Sequence, residues 1–171
     1  MVLNNLKLFL GKTFWSYNPS ATVSTGNAVV TSTAGDRLTT FDGTFELRAG
    51  YQTGGKCVSQ NEQSSYNDLI FGSSKQAVVA DDYKLIDEIY EGIAISSQTA
   101  NIIYADDRWT ITVLKTMINR SGNVLNINEI GLKIPVCGYK AILATREILP
   151  NTLVVQPNET FTLQSQITMT I

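Results

Sequence analysis

The end of the chain carries its plainest pattern. In Phe161-Thr-Leu163-Gln-Ser165-Gln-Ile167-Thr-Met169-Thr-Ile171, apolar and polar residues alternate almost without a break. A period of two sends one set of side chains into a core and the other, a Thr/Gln ladder, to water or a neighbour. This predicts a strand that ties the C-terminal segment into a sheet. Upstream, Thr152–Gln156 reads as a short β-branched strand between Pro150-Asn151 and Pro157-Asn158. Proline pre-sets φ for a turn and asparagine tolerates positive φ after it, so both pairs predict turns. Leu149 to Ile171 then predicts a hairpin.

Trp109-Thr-Ile111-Thr-Val113 opens another alternating strand, running to about Ile118 and ending at the turn-like 119–123. The next strand carries Leu125 and Ile127 on one face, then resumes one residue out of phase with Ile130, Leu132 and Ile134. Such a slip marks a β-bulge or a crossing between sheets. Residues 141–148 predict a further strand. Ile93–Ile95 and Asn101–Tyr104 predict two short ones, with Asp106-Asp107 turning the chain into Trp109. In 82–91, Leu85, Ile86, Ile89 and Tyr90 fit one helical face, with Asp81 or Asp82 as cap and Gly92 as stop. The same residues also fit a strand preceded by an acidic turn.

Several short strands with turn signals every 8–12 residues predict an all-β, mainly antiparallel fold. The expected form is a β-sandwich of jelly-roll or immunoglobulin-like type, with at most one short helix near 82–91. Residues 67–171 form its core. Residues 1–66 differ, with Ser, Thr, Gly and Asn between isolated aromatics. There, 28–30, 37–41 and 45–47 fit strands of the same sheets, and 18–26, 53–55 and 59–65 fit loops. Part of this region predicts an extended arm that orders against a neighbouring subunit.

Composition narrows the chemistry. The 171 residues include no histidine, which excludes His-activated nucleophiles, His-ligated metals and His general bases. Thirteen basic and fifteen acidic residues are scattered, with no Lys/Arg run, so nucleic acid is not expected as the main partner. Charged residues are only 16% of the chain, and Ser, Thr and Asn supply the polar balance, as in β-proteins that assemble with other chains. Cys57 and Cys137 lack CxxC spacing. They fit two free thiols, the favoured alternative, or one long-loop disulfide. Asn119-Arg-Ser121 and Asn158-Glu-Thr160 match the glycosylation sequon. The start lacks a signal-peptide pattern, and no apolar run nears the roughly 18 residues of a membrane span. A soluble protein made in the host cytoplasm is expected.

Candidate sites each have an ordinary competitor. Asp81-Asp82 and Asp106-Asp107 offer oxygens to calcium but lack the spacing of a calcium loop, and acidic pairs beside turns are common caps. Fifteen carboxylates offer no motif that selects a glycosidase pair. Gly54-Gly55-Lys56 lacks the phosphate-loop pattern and reads as a turn. Phe14, Trp15, Tyr17, Tyr51, Tyr66, Trp109 and Tyr139 are candidates for stacking on sugars, though such aromatics more often anchor cores and interfaces. No catalytic, cofactor-binding or metal-ligating residue is selected, and no cofactor is expected.

Three segments resemble a group of small β-sandwich virion proteins of tailed bacteriophages. They are Leu69-Ile-Phe-Gly72-Ser-Ser with Asp81-Asp82-Tyr83-Lys-Leu85; Ile118-Asn119-Arg-Ser-Gly122-Asn with Leu125-Asn-Ile127-Asn-Glu129-Ile-Gly131-Leu132; and Ala144-Thr-Arg146-Glu-Ile-Leu149-Pro with Val155-Gln-Pro157-Asn158-Glu159-Thr160. The resemblance covers 67–171. Asn158 stands where the group has Gly, and Gly72-Ser-Ser where it has Gly-x-Gly. It implies a non-enzymatic structural subunit of the capsid, neck or tail, acting in virion assembly. Its partners would be copies of itself, in a homo-oligomer or ring, and neighbouring virion proteins, with no membrane. Arg146 and Glu147 would form a local or inter-subunit ion pair. A receptor- or glycan-binding module of a fibre or tail is the alternative.

Overall fold

The computed structural model describes residues 23–24, 30–38, 40–41, 51–52, 57, 59, 68–135 and 141–170. Every regular element among them is a strand: β1 (Val23–Ser24), β2 (Val30–Thr31), β3 (Arg37–Leu38), β4 (Thr40–Phe41), β5 (Tyr51–Gln52), β6 (Asp68–Gly72), β7 (Ile93–Ala105), β8 (Arg108–Asn119), β9 (Leu125–Pro135), β10 (Ala141–Val155) and β11 (Thr160–Thr170). Two antiparallel sheets pack face to face as a β-sandwich. One has the order β10-β9-β6, the other β11-β8-β7-β5. The pairs β1-β4 and β2-β3 are separate two-stranded sheets. Of the strands expected over 28–30 and 37–41, the described residues Val30, Arg37–Leu38 and Thr40–Phe41 pair in these small sheets and not in the main ones, which corrects the expectation for them. Val23–Ser24, expected within a loop, is a strand.

The core lies between the sheets. Leu69 and Phe71 of β6, Ile127, Leu132 and Ile134 of β9, and Ile111, Val113 and Met117 of β8 are all buried there. Phe71 meets Phe161 of β11 edge to face, with ring centroids 5.7 Å apart at 89°. This is the favoured arrangement for aromatic quadrupoles, and here it joins one sheet to the other.

The β7–β8 hairpin turns through Asp106 and Asp107, at φ 51° and 55°. A two-residue turn of matching twist needs positive φ at both positions, which short acidic side chains tolerate. The two short strands expected over 93–104 are one long strand, β7, with a register shift between Ile95 and Ser97. β11 alternates as expected and pairs with β8 from Thr160↔Ile118 to Thr170↔Arg108 without a shift.

The expected hairpin of 149–171 is absent, because β10 and β11 belong to different sheets. Pro157-Asn158 is a turn, with Asn158 at φ 64°, but it carries the chain across the sandwich. Pro150-Asn151 is no turn. The register jumps from Ile148↔Glu129 to Leu153↔Ile127, so four residues of β10 oppose the single Asn128. A bulge accommodates a proline that cannot donate to the ladder. Asn128 itself donates from Nδ2 to the Ser73 carbonyl (2.7 Å) and accepts the Thr152 hydroxyl at Oδ1 (2.6 Å). The phase slip in β9 falls beside this bulge.

No helix forms over 82–91. The amide N–H groups of Ile86 and Asp87 donate to Glu129 Oε1, and that of Ile89 to the Phe71 carbonyl. A helix would need those donors for its own carbonyls. Instead the segment runs along β6, with Ser73 N–H donating to the Asp87 carbonyl and a bridge between Gly72 and Glu88. Leu85 is buried with Ile70 and Leu143 on the face of the three-stranded sheet away from the sandwich core.

Described parts of 1–66 attach to the sandwich at several places, among them Ser59 Oγ, which donates to Glu88 Oε2 at 3.3 Å. β5 extends the four-stranded sheet, Thr33 N–H donates to the Ala141 carbonyl, and Cys57 N–H donates to the Ile93 carbonyl. The remainder of the expected arm, including 45–47 and 53–55, lies outside the described residues.

Candidate functional site

Among the described residues, two buried charge clusters and one nearly uncharged sheet face stand out. Arg146 and Glu129 are both fully buried. Arg146 Nε donates to Glu129 Oε2 at 2.7 Å, Nη1 to Asp82 Oδ2 at 2.7 Å, and Nη2 to the Gln76 carbonyl at 3.1 Å. Burial alone would lower the pKa of the guanidinium, but the hydrogen bonds to Asp82 and Glu129 outweigh it and hold the pKa above its usual value. Neighbours on a strand point to opposite faces, so Arg146 cannot reach Glu147, and Glu147 is exposed. The expected local Arg146–Glu147 pair is thus corrected. Gly131 is the cross-strand partner of Arg146. A Cβ there would sit 2.8 Å from Leu143 Cδ1 and 3.0 Å from Leu85 Cδ2. Glycine is what lets the covering segment close on β9.

The second cluster ties one sheet to the other. Lys115 occupies an inward position of β8, in step with Ile111, Val113 and Met117. Its Nζ donates to Asp68 Oδ1 at 2.8 Å and to the Leu69 carbonyl at 3.1 Å. Lys133 Nζ stands 4.0 Å from Asp68 Oδ2. Burial would lower the Lys115 pKa, yet the Asp68 carboxylate prevails and raises it. Cys57 is a buried free thiol with Sγ 3.9 Å from Met117 Sδ. Burial pushes its pKa up, although Lys115 pulls the other way. Cys137 lies outside the described residues.

Both clusters bind one part of the chain to another. Arg146 and Glu129 fasten the segment 76–87 over the three-stranded sheet. Lys115 and Asp68 join β8 to β6. Asn119 does the same at the corner where the chain crosses between sheets. Its Nδ2 donates to the carbonyls of Asn123 (2.7 Å), Val155 (3.3 Å) and Gln156 (3.1 Å), and its Oδ1 accepts Ser121 Oγ (2.6 Å). Its amide is thus occupied and buried, so the first sequon is closed to glycosylation in the folded protein. Asn158 of the second sequon accepts Arg120 Nη1 at 3.0 Å.

The sequence candidates disperse. Asp82 is held by Arg146 and accepts Val79 N–H at 2.9 Å. Asp107 accepts the Tyr104 hydroxyl at 3.0 Å. Among the described residues no three His, Cys, Asp or Glu side chains gather as a metal site, and no helix is long and apolar enough to cross a membrane. Phe14, Trp15, Tyr17, Tyr66, Tyr139 and Gly54-Gly55-Lys56 lie outside the described residues. Of Tyr51 and Trp109 only the backbone is described.

What remains is the outer face of the four-stranded sheet. The register sets Asn101, Thr112 and Gln166 in one row, and Thr99, Leu114 and Gln164 in the next. The Thr116 and Thr162 hydroxyls meet at 3.0 Å. Ile103 and Leu114 stand 52% and 39% exposed. Along β7, β8 and β11 the one charged residue whose position falls on this face is Arg108, beside the hairpin turn. Comparisons with protein-family profiles, with curated proteins and with solved structures found no match for this chain.

Proposed function

We propose that this protein is a non-enzymatic structural subunit of a bacteriophage particle, part of its capsid, neck or tail. It works by packing against copies of itself and neighbouring particle proteins. The observation that carries this reading is the outer face of the four-stranded sheet. A face of three long strands with a single charge at its end is unusual for a surface that meets only water, since charged residues are what soluble surfaces normally collect. Charge is depleted at the centres of protein interfaces, and hydroxyl and amide side chains there pair readily with a partner of the same kind. The two ion clusters fit the same role, because they fasten the chain to itself and leave no charge waiting for a ligand.

The bacteriophage assignment rests on the three resembling segments. In the structure they form β6 with its covering segment, the β8–β9 corner, and the β10–β11 crossing. The test is mass spectrometry of purified particles. The protein is expected there at several copies or more per particle, and its absence from them would overturn the reading.

A further inference from the structure

β11 is the outermost strand of the four-stranded sheet, and among the described residues it pairs with β8 alone. Natural edge strands are usually blunted by charge, proline, a bulge or a covering segment. β6 has such a cover in residues 86–89. Among the described residues β11 has none of the four: Thr160–Thr170 contains no charged residue and no proline, and its register with β8 is continuous.

Its sequence is also symmetric. Reading outward from Ser165, Gln164 answers Gln166, Leu163 answers Ile167, Thr162 answers Thr168, Phe161 answers Met169, and Thr160 answers Thr170. An antiparallel strand paired with its own copy about a two-fold axis brings those positions opposite one another. We propose that the free edge of β11 pairs antiparallel with β11 of a second copy of this chain, about a two-fold through residue 165. The two four-stranded sheets become one.

Several features favour a second copy as the occupant. Identical strands set like against like, so any charge near the axis would face an identical charge; β11 carries none. The pairing keeps faces matched, with the inward Leu163, Ser165 and Ile167 continuing the core side and the Thr/Gln row continuing the outer face. A slip of one residue would put outward positions against inward ones. A slip of two would set Ser165 against Leu163 or Ile167 and break the Leu–Ile match. Eleven residues in register supply about ten ladder hydrogen bonds, each now turned outward from the edge. The inference stands on β11 and not on the particle reading. A dimer absent from virions, or a monomer present in them, would separate the two.

The test is sedimentation equilibrium on the full chain, with circular dichroism to confirm folding. Gln164 and Gln166 are both exposed, so substitution there leaves the core intact. The wild type is expected to dimerise. In Gln164→Lys/Gln166→Lys, each lysine faces a lysine across the axis, and the dimer is expected to weaken by about tenfold or more. In Gln164→Lys/Gln166→Glu, each lysine faces a glutamate, and the dimer is expected to persist. A monomeric wild type, with the edge empty or taken by another segment or protein, would overturn the proposal. So would a lysine–lysine variant that dimerises like wild type, or a lysine–glutamate variant as weak as the lysine–lysine one.

Discussion

The two sheets of the sandwich share one core and differ in everything outside it. The three-stranded sheet is covered on both sides. Its outer face carries Glu129, Gly131 and Arg146, and the segment 76–89 closes over them through Arg146, Leu85 and the backbone bonds to β6. Among the described residues nothing covers the outer face of the four-stranded sheet, which has Thr, Gln and Asn in rows, two exposed aliphatic side chains and an unpaired edge. The first sheet uses charge to complete itself within the chain, and the second excludes charge where it meets the outside. Buried ion pairs cost desolvation and specify one arrangement of the segments they join, whereas an uncharged sheet face stays receptive to another protein surface.

The largest test of this difference is Arg146→Met. It strips the covered sheet of its cation and leaves Glu129 buried with only the Ile86 and Asp87 amides as the partners described for it. Breaking a buried pair by removing one member costs about 3–5 kcal/mol. The loss should appear in the urea midpoint, together with faster amide exchange over 76–89. The double variant Arg146→Met/Glu129→Gln should recover part of it, since the fully buried carboxylate is then neutral and only the partly exposed Asp82 has lost its cation. Unchanged stability in the single variant would mean that the outer face is not held by this cluster.

A smaller effect is expected from the cluster that ties one sheet to the other. Lys115→Met leaves Asp68 with Lys133 still 4.0 Å away, so the stranded charge keeps a partner. The pH dependence is the sharper readout. The folded-state pKa of Lys115 is raised above its ordinary value, burial notwithstanding, because Asp68 holds the proton on. The stability this contributes is fully present below the unfolded-state pKa of about 10.4 and is lost as pH rises through the folded value. Wild type should therefore lose stability above about pH 10.4 more steeply than Lys115→Met. Parallel curves from pH 7 to 12 would remove the assigned charge pair.

Much of this architecture was legible because it is local. Alternation in 161–170 yields β11, and the acidic pair 106–107 yields the hairpin, since each depends on neighbours along the chain. The sheet that a strand joins does not. Pro157-Asn158 reads equally as a hairpin turn or a crossing, and the choice is made by Phe161 reaching Phe71 across the core. The segment 82–91 has helical spacing, but its amide donors are claimed by Glu129 and Phe71 from strands far away in sequence. One wrong pairing and one missed residue had a signal in the sequence. Adjacent residues on a strand face apart, which already forbids Arg146–Glu147. Lys115 falls in step with Ile111 and Val113, which marks it as a buried cation needing a carboxylate.

The smallest expected effect concerns the nearly uncharged face. Leu114→Lys and Thr112→Lys place a charge in the middle of it, on the strand beside β11 and away from the core. Surface substitutions of this kind change stability by no more than about 0.5 kcal/mol. If the face merely meets water, nothing else should change. If it is covered in the assembled particle, the lysine must be desolvated against a partner that has no carboxylate placed for it, and incorporation should fall while the isolated protein remains folded. The comparison to make is the ratio of variant to wild type in purified particles against the same ratio in the soluble pool. Equal ratios would show that this face stays exposed after assembly and would leave the β11 edge as the part of this sheet open to a partner. A depleted variant of normal melting temperature would instead locate the contact on the uncharged rows, where Thr112 lies between Asn101 and Gln166.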